Sequence, residues 1–178
     1  MFDAVRRRKQ RRAVARLAYH HIVARARAPR LFAAWSVPDT LDGRFELLAL
    51  HAFLVLNRLK HEAEAKEFAQ VLFDTMFTDI DRGVRELGNA DVSVGKQVKR
   101  MARGFYGRIA AYDKGLGDET ELEAALKRNL FGTVTSPAPE HVIRAARYLR
   151  DQVAALAVVP IASFLRGEVP YAPLDAAP

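Results

Sequence analysis

The sequence contains no cysteine and no long apolar run, and both absences narrow its class. Without cysteine, disulfide bonds and cysteine-based metal sites are excluded. The longest mainly apolar stretch runs from Val153 to Leu165, 13 residues that include Pro160, whereas a membrane-spanning helix needs about 20. The early arginines are not followed by the apolar stretch of about 7–15 residues that a secretory signal requires. We therefore expect a cytoplasmic protein, or one that is peripheral at the inner face of the membrane.

Motifs of catalysis and of cofactor binding are also lacking. The sequence has neither a phosphate-binding loop nor a glycine-rich dinucleotide motif. His61 and Glu62 begin like a zinc protease motif, but Ala65 stands where the second histidine is needed. We predict no enzymatic activity, no cofactor and no metal. A weaker alternative is a catalyst of unknown type in which His51 and an aspartate form an acid/base pair.

The net charge of +7 is concentrated at the N-terminus. Residues 1–30 carry ten of the 28 basic residues and one of the 21 acidic residues, so the rest of the chain has 18 basic against 20 acidic. This pattern predicts a near-neutral body with a basic arm over residues 1–12, and no DNA partner. The basic residues of the arm are Arg6, Arg7, Arg8, Lys9, Arg11 and Arg12. We expect the arm to meet anionic lipid or RNA, unless it is a disordered solubilising leader.

Apolar residues recur at helical spacing, and no alternating strand pattern is present. The sequence predicts an all-α protein with a single compact helical domain of about six helices over residues 13–166. A loose, proline-containing tail is expected over residues 167–178. Asp118 to Glu121 resembles a capping box, which predicts a helix start there.

The boundaries of the first helices can be predicted from proline and from apolar spacing. The first is expected to end near Arg27, because Pro29 disfavours helix before it. A short aromatic segment then precedes a central helix from Asp42 to Leu59 that is apolar almost all round and hence buried. The third helix is predicted over Ala63 to Leu87 with a break near Asp79, followed by a loop from Gly88 to Asp91.

Two lines of polar residues mark the second and third predicted helices. Arg44, His51 and Arg58 lie seven residues apart and share one face of the central helix. The next helix carries Gln70, Asp74, Thr78, Asp81 and Arg85 at spacings of three or four. An antiparallel pairing of these helices predicts that His51 lies beside Gln70 and that Arg44 lies near Asp74 to Asp81. We interpret these residues, together with Asp39, as a structural network of paired charges. The alternative is that they form a recognition site for a segment of a partner protein.

A second basic cluster lies on the fourth predicted helix. Its members, opposite the apolar stripe, are Lys96, Lys99, Arg100 and Arg103. Like charges at this spacing repel one another, so the cluster is not explained by helix stability. It is expected to meet anionic lipid, RNA or an acidic partner, or to be a solvated face. One hypothesis for the whole chain is therefore a helical RNA-binding or ribosome-associated module that acts through residues 1–12 and the Lys96–Arg103 patch.

Several short motifs, dispersed in order over roughly residues 15–160, resemble the ubiquinol–cytochrome c chaperone family. The N-terminal ones are Val37-Pro38-Asp39-Thr40, Asp42-Gly43-Arg44-Phe45-Glu46, Leu50-His51 and Arg58-Leu59. The C-terminal ones are Asp74, the stretch from Asp81 to Arg85-Glu86-Leu87-Gly88, Asp91, Val94-Gly95-Lys96, Lys99, Phe105-Tyr106-Gly107-Arg108 and Tyr112. The chain looks like a compact bacterial member of this family.

The resemblance implies an assembly chaperone for respiratory complex III. Such a protein would bind newly made cytochrome b and support its maturation without catalysis. A ribosome or an anionic membrane surface and a helper protein are the further partners that the family implies. The resemblance implies no catalytic residue for this chain.

Overall fold

The structure, a computed structural model, describes residues 2–86 and 91–174. These residues fold into α-helices joined by short connections, and a single 3-10 turn lies at Ala63–Ala65. The helices are α1 Phe2–Ala26, α2 Pro29–Trp35, α3 Leu41–Leu59, α4 Lys66–Glu86, α5 Asp91–Gly115, α6 Glu119–Arg128, α7 Pro139–Ala157 and α8 Ile161–Leu165. The all-α prediction is confirmed. Two short helices, α2 and α8, were not expected as separate elements.

The helix starts follow the capping chemistry of the sequence. The Thr40 hydroxyl accepts a hydrogen bond from the Gly43 amide at 3.2 Å and caps α3. The Asp118 carboxylate accepts from the Glu121 amide at 3.1 Å and caps α6 as the sequence predicted. Pro29 occupies the first turn of α2, where its fixed φ and missing N–H favour a helix start. The aromatic segment after Pro29 is therefore a helix rather than a loop.

Helix α3 lies at the centre of the fold, as its apolar surface predicts. It packs against α1, α5 and α7 and makes less extensive contact with α4. Eleven of its residues are buried, and the aromatic core around it includes Trp35, Phe105 and Tyr112. The backbone at Gly43 lies so close to Pro38 that only glycine fits there, because a Cβ would lie 2.0 Å from the Pro38 carbonyl oxygen.

The predicted antiparallel pairing of the central helix with α4 is wrong. Helix α4 packs mainly against α1 and α5, because its apolar residues form a stripe that inserts between those two helices. It is continuous from Lys66 to Glu86, so the predicted break near Asp79 is absent. Leu87 and the predicted loop residues 88–90 lie outside the described residues.

The predicted basic arm belongs to a long helix. Helix α1 runs from Phe2 to Ala26, and its residues 5–13 are exposed while Ala15 is the first that is fully buried. Roughly the first three turns thus extend beyond the body. Arg11 forms an ion pair with Glu67 and ties this extension to the start of α4. No helix of the described residues is long and apolar enough to cross a membrane.

Part of the segment expected to be a loose tail is packed onto the core. Gly167 has a φ of 88°, and a Cβ there would lie 2.9 Å from the Val14 carbonyl oxygen. This conformation, which favours glycine, turns the chain back across α1. Val169 is buried, and the Ala172 amide donates to the Gln152 side chain at 3.0 Å. The difference from the expectation arises because apolar residues stand between the prolines of the tail.

Candidate functional site

A cleft opens where α1, α3, α4 and α5 meet. Its volume is about 210 Å³. Its apolar lining includes Val23, Phe45, Leu48, Ile80 and Met101. We call this hollow the cleft. Because four helices contribute to it, the fold must be complete before the cleft exists.

The cleft continues as an open, polar trough along α1 and α4. The trough has a volume of about 560 Å³, and its lining includes His20, Ala24 and Glu86. Tyr19, Arg27 and Asp79 line both the cleft and the trough. From residue 19 to residue 27 the helix α1 advances about 12 Å. The combined hollow is therefore elongated, with an apolar pit at one side.

The polar edge of the cleft includes Tyr19 with its partner Asp79, and the exposed cation of Arg27. The Tyr19 hydroxyl donates to Asp79 at 2.8 Å, and Asp79 also pairs with Arg82. Burial, followed by the bond to Asp79, raises the pKa of Tyr19 well above its usual value. The exposed guanidinium of Arg27 has no ion pair or hydrogen bond to any residue that the structure describes.

A largely buried ion pair lies next to Phe45, which lines the cleft. Arg108 donates from Nε to Glu46 at 2.7 Å and makes a second, short bond to the same carboxylate. Its guanidinium also lies over the Phe45 ring, 5.3 Å from the ring centroid. Burial raises the pKa of Glu46 more strongly than Arg108 lowers it. The pair fixes Phe45, which lines the cleft.

His51, the central residue of the predicted polar line, is fully buried. Its Nδ1 lies 2.7 Å from the Leu47 carbonyl oxygen, so Nδ1 carries the proton and donates. Its Nε2 therefore accepts from the Tyr148 hydroxyl at 2.9 Å. Burial lowers the pKa of His51 to about 4, and burial raises the pKa of Tyr148 to about 12. Both ring nitrogens are used, so the histidine serves the core and faces no substrate.

Four other segments of the chain contribute to a cluster around His51. The Tyr171 hydroxyl donates to the His51 carbonyl oxygen at 2.9 Å, and the two rings are 5.6 Å apart. Arg25 of α1 lies over the Tyr171 ring, 5.1 Å from its centroid. The Tyr148 ring packs against the Trp35 ring, with 5.0 Å between the ring centroids. This buried polar cluster joins α1, α2, α3, α7 and the tail.

The structure separates the other members of the predicted polar lines. Arg44 pairs with Asp39 at 2.6 and 3.2 Å and not with Asp74 or Asp81. This exposed pair lies at the start of α3, where Arg44 lines the cleft. Arg44 lowers the pKa of Asp39 through its hydrogen bond. His51 is not beside Gln70, because α3 and α4 do not form the expected pair.

Arg58 has a different structural task. It donates to the carbonyl oxygens of Leu156 at 3.1 Å and Val159 at 3.0 Å, and it pairs with Glu62 at 2.8 Å. A cation at the end of α7 satisfies terminal carbonyls and is favoured by the helix dipole.

The polar line of α4 is a solvent-facing row of local contacts. Gln70 donates to Asp74 at 2.8 Å, and Thr78 donates to the Asp74 carbonyl oxygen at 2.7 Å. Arg85 pairs with Asp81 at 2.6 Å. Each contact joins residues four apart, which is the ordinary pattern of an exposed helix face.

The two basic regions lie apart from each other. Arg11 contacts the start of α4 at Glu67, whereas Met101 of α5 lies with Ile80 and Val84 near its end. These positions are about 20 Å apart along α4. The side chains of Lys96, Lys99, Arg100 and Arg103 are exposed, and they flank Met101 on α5.

Several residues of these clusters were not predicted from the sequence. The sequence could have indicated that Glu46 needs a basic partner, because a carboxylate on a largely apolar helix is rarely buried unpaired, but it does not identify Arg108, which is 62 residues away. The role of Asp79 beside Tyr19 has no sequence signal, since 60 residues separate them. Tyr148 and Tyr171 are likewise brought to His51 by the tertiary fold alone.

The sequence profile of the ubiquinol-cytochrome C chaperone family matches residues 33–171, which is most of the chain. The chain belongs to the ubiquinol–cytochrome c chaperone family. The matched region includes α3, α4 and α5 and hence most of the cleft. The family resemblance found in the dispersed motifs is therefore confirmed.

Curated relatives of the chain are assembly factors. Ubiquinol-cytochrome-c reductase complex assembly factor 1 of Xenopus laevis is 32% identical over 80% of this chain and 72% of its own length. The human protein is 30% identical over 80% of this chain but only 48% of its own length. Mitochondrial CBP3 of Saccharomyces cerevisiae is 26% identical over 77% of this chain and 42% of its own. The chain thus spans about half the length of the human and yeast relatives.

A solved bacterial structure has the same fold over its full length. The crystal structure of the Cbp3 homolog from Brucella abortus is 37% identical, has a TM-score of 0.86 and is matched over 100% of both chains. These relatives give no support to the hypothesis of an RNA-binding module.

Proposed function

We propose that this chain is an assembly chaperone for respiratory complex III that binds newly made cytochrome b and supports its maturation. The observation that carries the proposal is the family match over residues 33–171. The frog and human relatives, named as assembly factors of the ubiquinol–cytochrome c reductase complex, support the same activity. The structural similarity to the bacterial Cbp3 homolog, which extends over the whole of both chains, also supports the proposal.

The function is binding and not catalysis. His51, the acid/base candidate, is buried with both ring nitrogens engaged. A general base must reach the proton that it abstracts, and this side chain has no path to a bound substrate. The cleft, in contrast, offers apolar surface and the exposed cation of Arg27, which suit recognition of a polypeptide.

The basic N-terminal turns of α1 orient the chaperone at an anionic membrane surface or at the ribosome, and a helper protein assists it. Six basic side chains between Arg6 and Arg12 project from the body on a helix with exposed residues. Each lysine or arginine near an anionic surface contributes about 1 kcal/mol, and the attraction weakens with salt. Binding to vesicles that contain anionic lipid should therefore fall when the salt concentration rises and when residues 2–10 are removed.

The proposed function is tested by deleting the gene and recording haem difference spectra of the membranes. We expect the b-type and c-type signals of complex III to decrease and to return when the intact gene is supplied on a plasmid. Other respiratory complexes serve as the internal control. An unchanged amount of complex III in the deletion strain would refute the proposal.

A further inference from the structure

The shape of the cleft determines what kind of ligand it accepts. Its apolar pit of about 210 Å³ is smaller than the roughly 300–1,000 Å³ of small-molecule and cofactor sites. The described residues contain no group of side chains that could hold a metal ion. A pit of this size suits a single large apolar side chain of a protein partner, which is the usual form of an interface anchor.

The cleft wall is built to receive such an anchor. Phe45 and Leu48 are half-buried and Leu41 is 49% exposed, so all three keep apolar surface available. Arg108 fixes the Phe45 ring from behind. Met101 adds an unbranched side chain that adapts to the shape of an anchor.

The charged residues beside the pit determine which residue of the partner is favoured next to the anchor. Asp79 is already engaged by Tyr19 and Arg82, and Arg44 by Asp39. Arg27 remains without an ion pair among the described residues. A carboxylate on the partner is therefore the complementary group.

We propose that the cleft binds an amphipathic segment of the client that presents one large apolar side chain beside an acidic residue, the apolar group in the pit and the carboxylate on Arg27. The inference rests on the proposed function, because the segment belongs to the client, cytochrome b. The trough along α1 and α4 accommodates about two turns of a helix, so the segment continues there.

Site-specific photocrosslinking tests this site in cells that make epitope-tagged cytochrome b. A photoreactive phenylalanine replaces Leu41 at the mouth of the cleft or, as the control, Val158, which is 83% exposed at the end of α7. We expect a cytochrome b adduct from position 41 and none from position 158. With the probe at 41, Arg27→Glu should lower the adduct yield about tenfold, as expected for a lost charge-assisted contact. Arg147→Glu, on exposed α7 surface, should leave it unchanged.

The outcomes separate the site from the function. Equal adducts from both positions, equal effects of the two charge reversals, or adducts only with a second copy of this chain or with lipid would overturn the proposed site. Absence of a cytochrome b adduct at position 41 in a strain whose complex III still depends on the gene would overturn the site and leave the chaperone function standing. Normal complex III without the gene would instead overturn the function.

Discussion

The buried His51 should make the stability of this protein pH-dependent in a defined window. Burial lowers the pKa of His51 to about 4 from its ordinary value of 6.5. The unfolded state therefore binds a proton between pH 6.5 and pH 4 that the folded state does not bind. The contribution of His51 to the free energy of unfolding is complete above pH 6.5 and decreases as the pH falls towards 4.

The magnitude follows from the shift in pKa. Each unit by which the pH falls within the window lowers the free energy of unfolding by about 1.4 kcal/mol, so the whole shift in pKa lowers it by about 3 kcal/mol. We expect His51→Gln to remove this term while it keeps an amide that can donate to Leu47 and accept from Tyr148. The variant should be less stable at pH 7.5, and its disadvantage relative to the unmodified protein should shrink by about 3 kcal/mol at pH 4.

Urea unfolding followed by circular dichroism at a series of pH values measures this difference. His61→Gln is the matched control, because His61 is exposed in the turn after α3, and it should keep the pH dependence of the unmodified protein. The carboxylates are the same in all three proteins, so their contribution to the pH dependence of the free energy of unfolding cancels in the comparison. Parallel curves for His51→Gln and the unmodified protein between pH 6.5 and 4 would refute the burial argument.

Three further predictions concern the packing around the cleft and the tail. Arg108→Met should lower the free energy of unfolding by about 3–5 kcal/mol, because it leaves the Glu46 carboxylate without its partner. Adding Glu46→Met should recover most of this loss in urea titrations. A double variant as unstable as Arg108→Met alone would contradict the pairing argument. Gly43→Ala should cost about 2 kcal/mol and lower Tm by about 4–8 °C through its contact with Pro38, whereas Gly107→Ala in open space should not destabilise. Tyr171→Phe should cost about 1 kcal/mol for the lost bond to His51, and Tyr171→Ala clearly more; equal and negligible losses would show that the tail does not stabilise the core.

Local signals in the sequence were sufficient for the helices. Apolar spacing identified α3 as the buried centre, and Asp118 marked the start of α6. Pro29 predicts the end of one helix, but proline in a first turn also favours the start of the next helix. The row of polar residues on α4 was found correctly as a shared face. Its side chains satisfy one another locally, so the spacing alone did not reveal which helix lies opposite.

The tertiary partners could not be predicted in the same way. The pairing of α3 with α4 was assumed from their adjacency in sequence, but α1 and α5 occupy the sides of α4 instead. Arg44 consequently has Asp39 as its partner, five residues away. The cleft itself depends on four helices, and the lack of an ion pair for Arg27 among the described residues can be recognised only when the neighbours of every cation are known.

The long-range polar contacts explain why the cleft can serve as a preformed binding site. Tyr19 with Asp79, Glu46 with Arg108 and His51 with Tyr148 join residues 60, 62 and 97 positions apart. The first two of these pairs include or directly support cleft residues. A site held in this way pays little conformational entropy when a partner binds. Among the described residues these contacts leave Arg27 without an ion pair, so under the proposal above its charge reversal should weaken client capture without unfolding the protein.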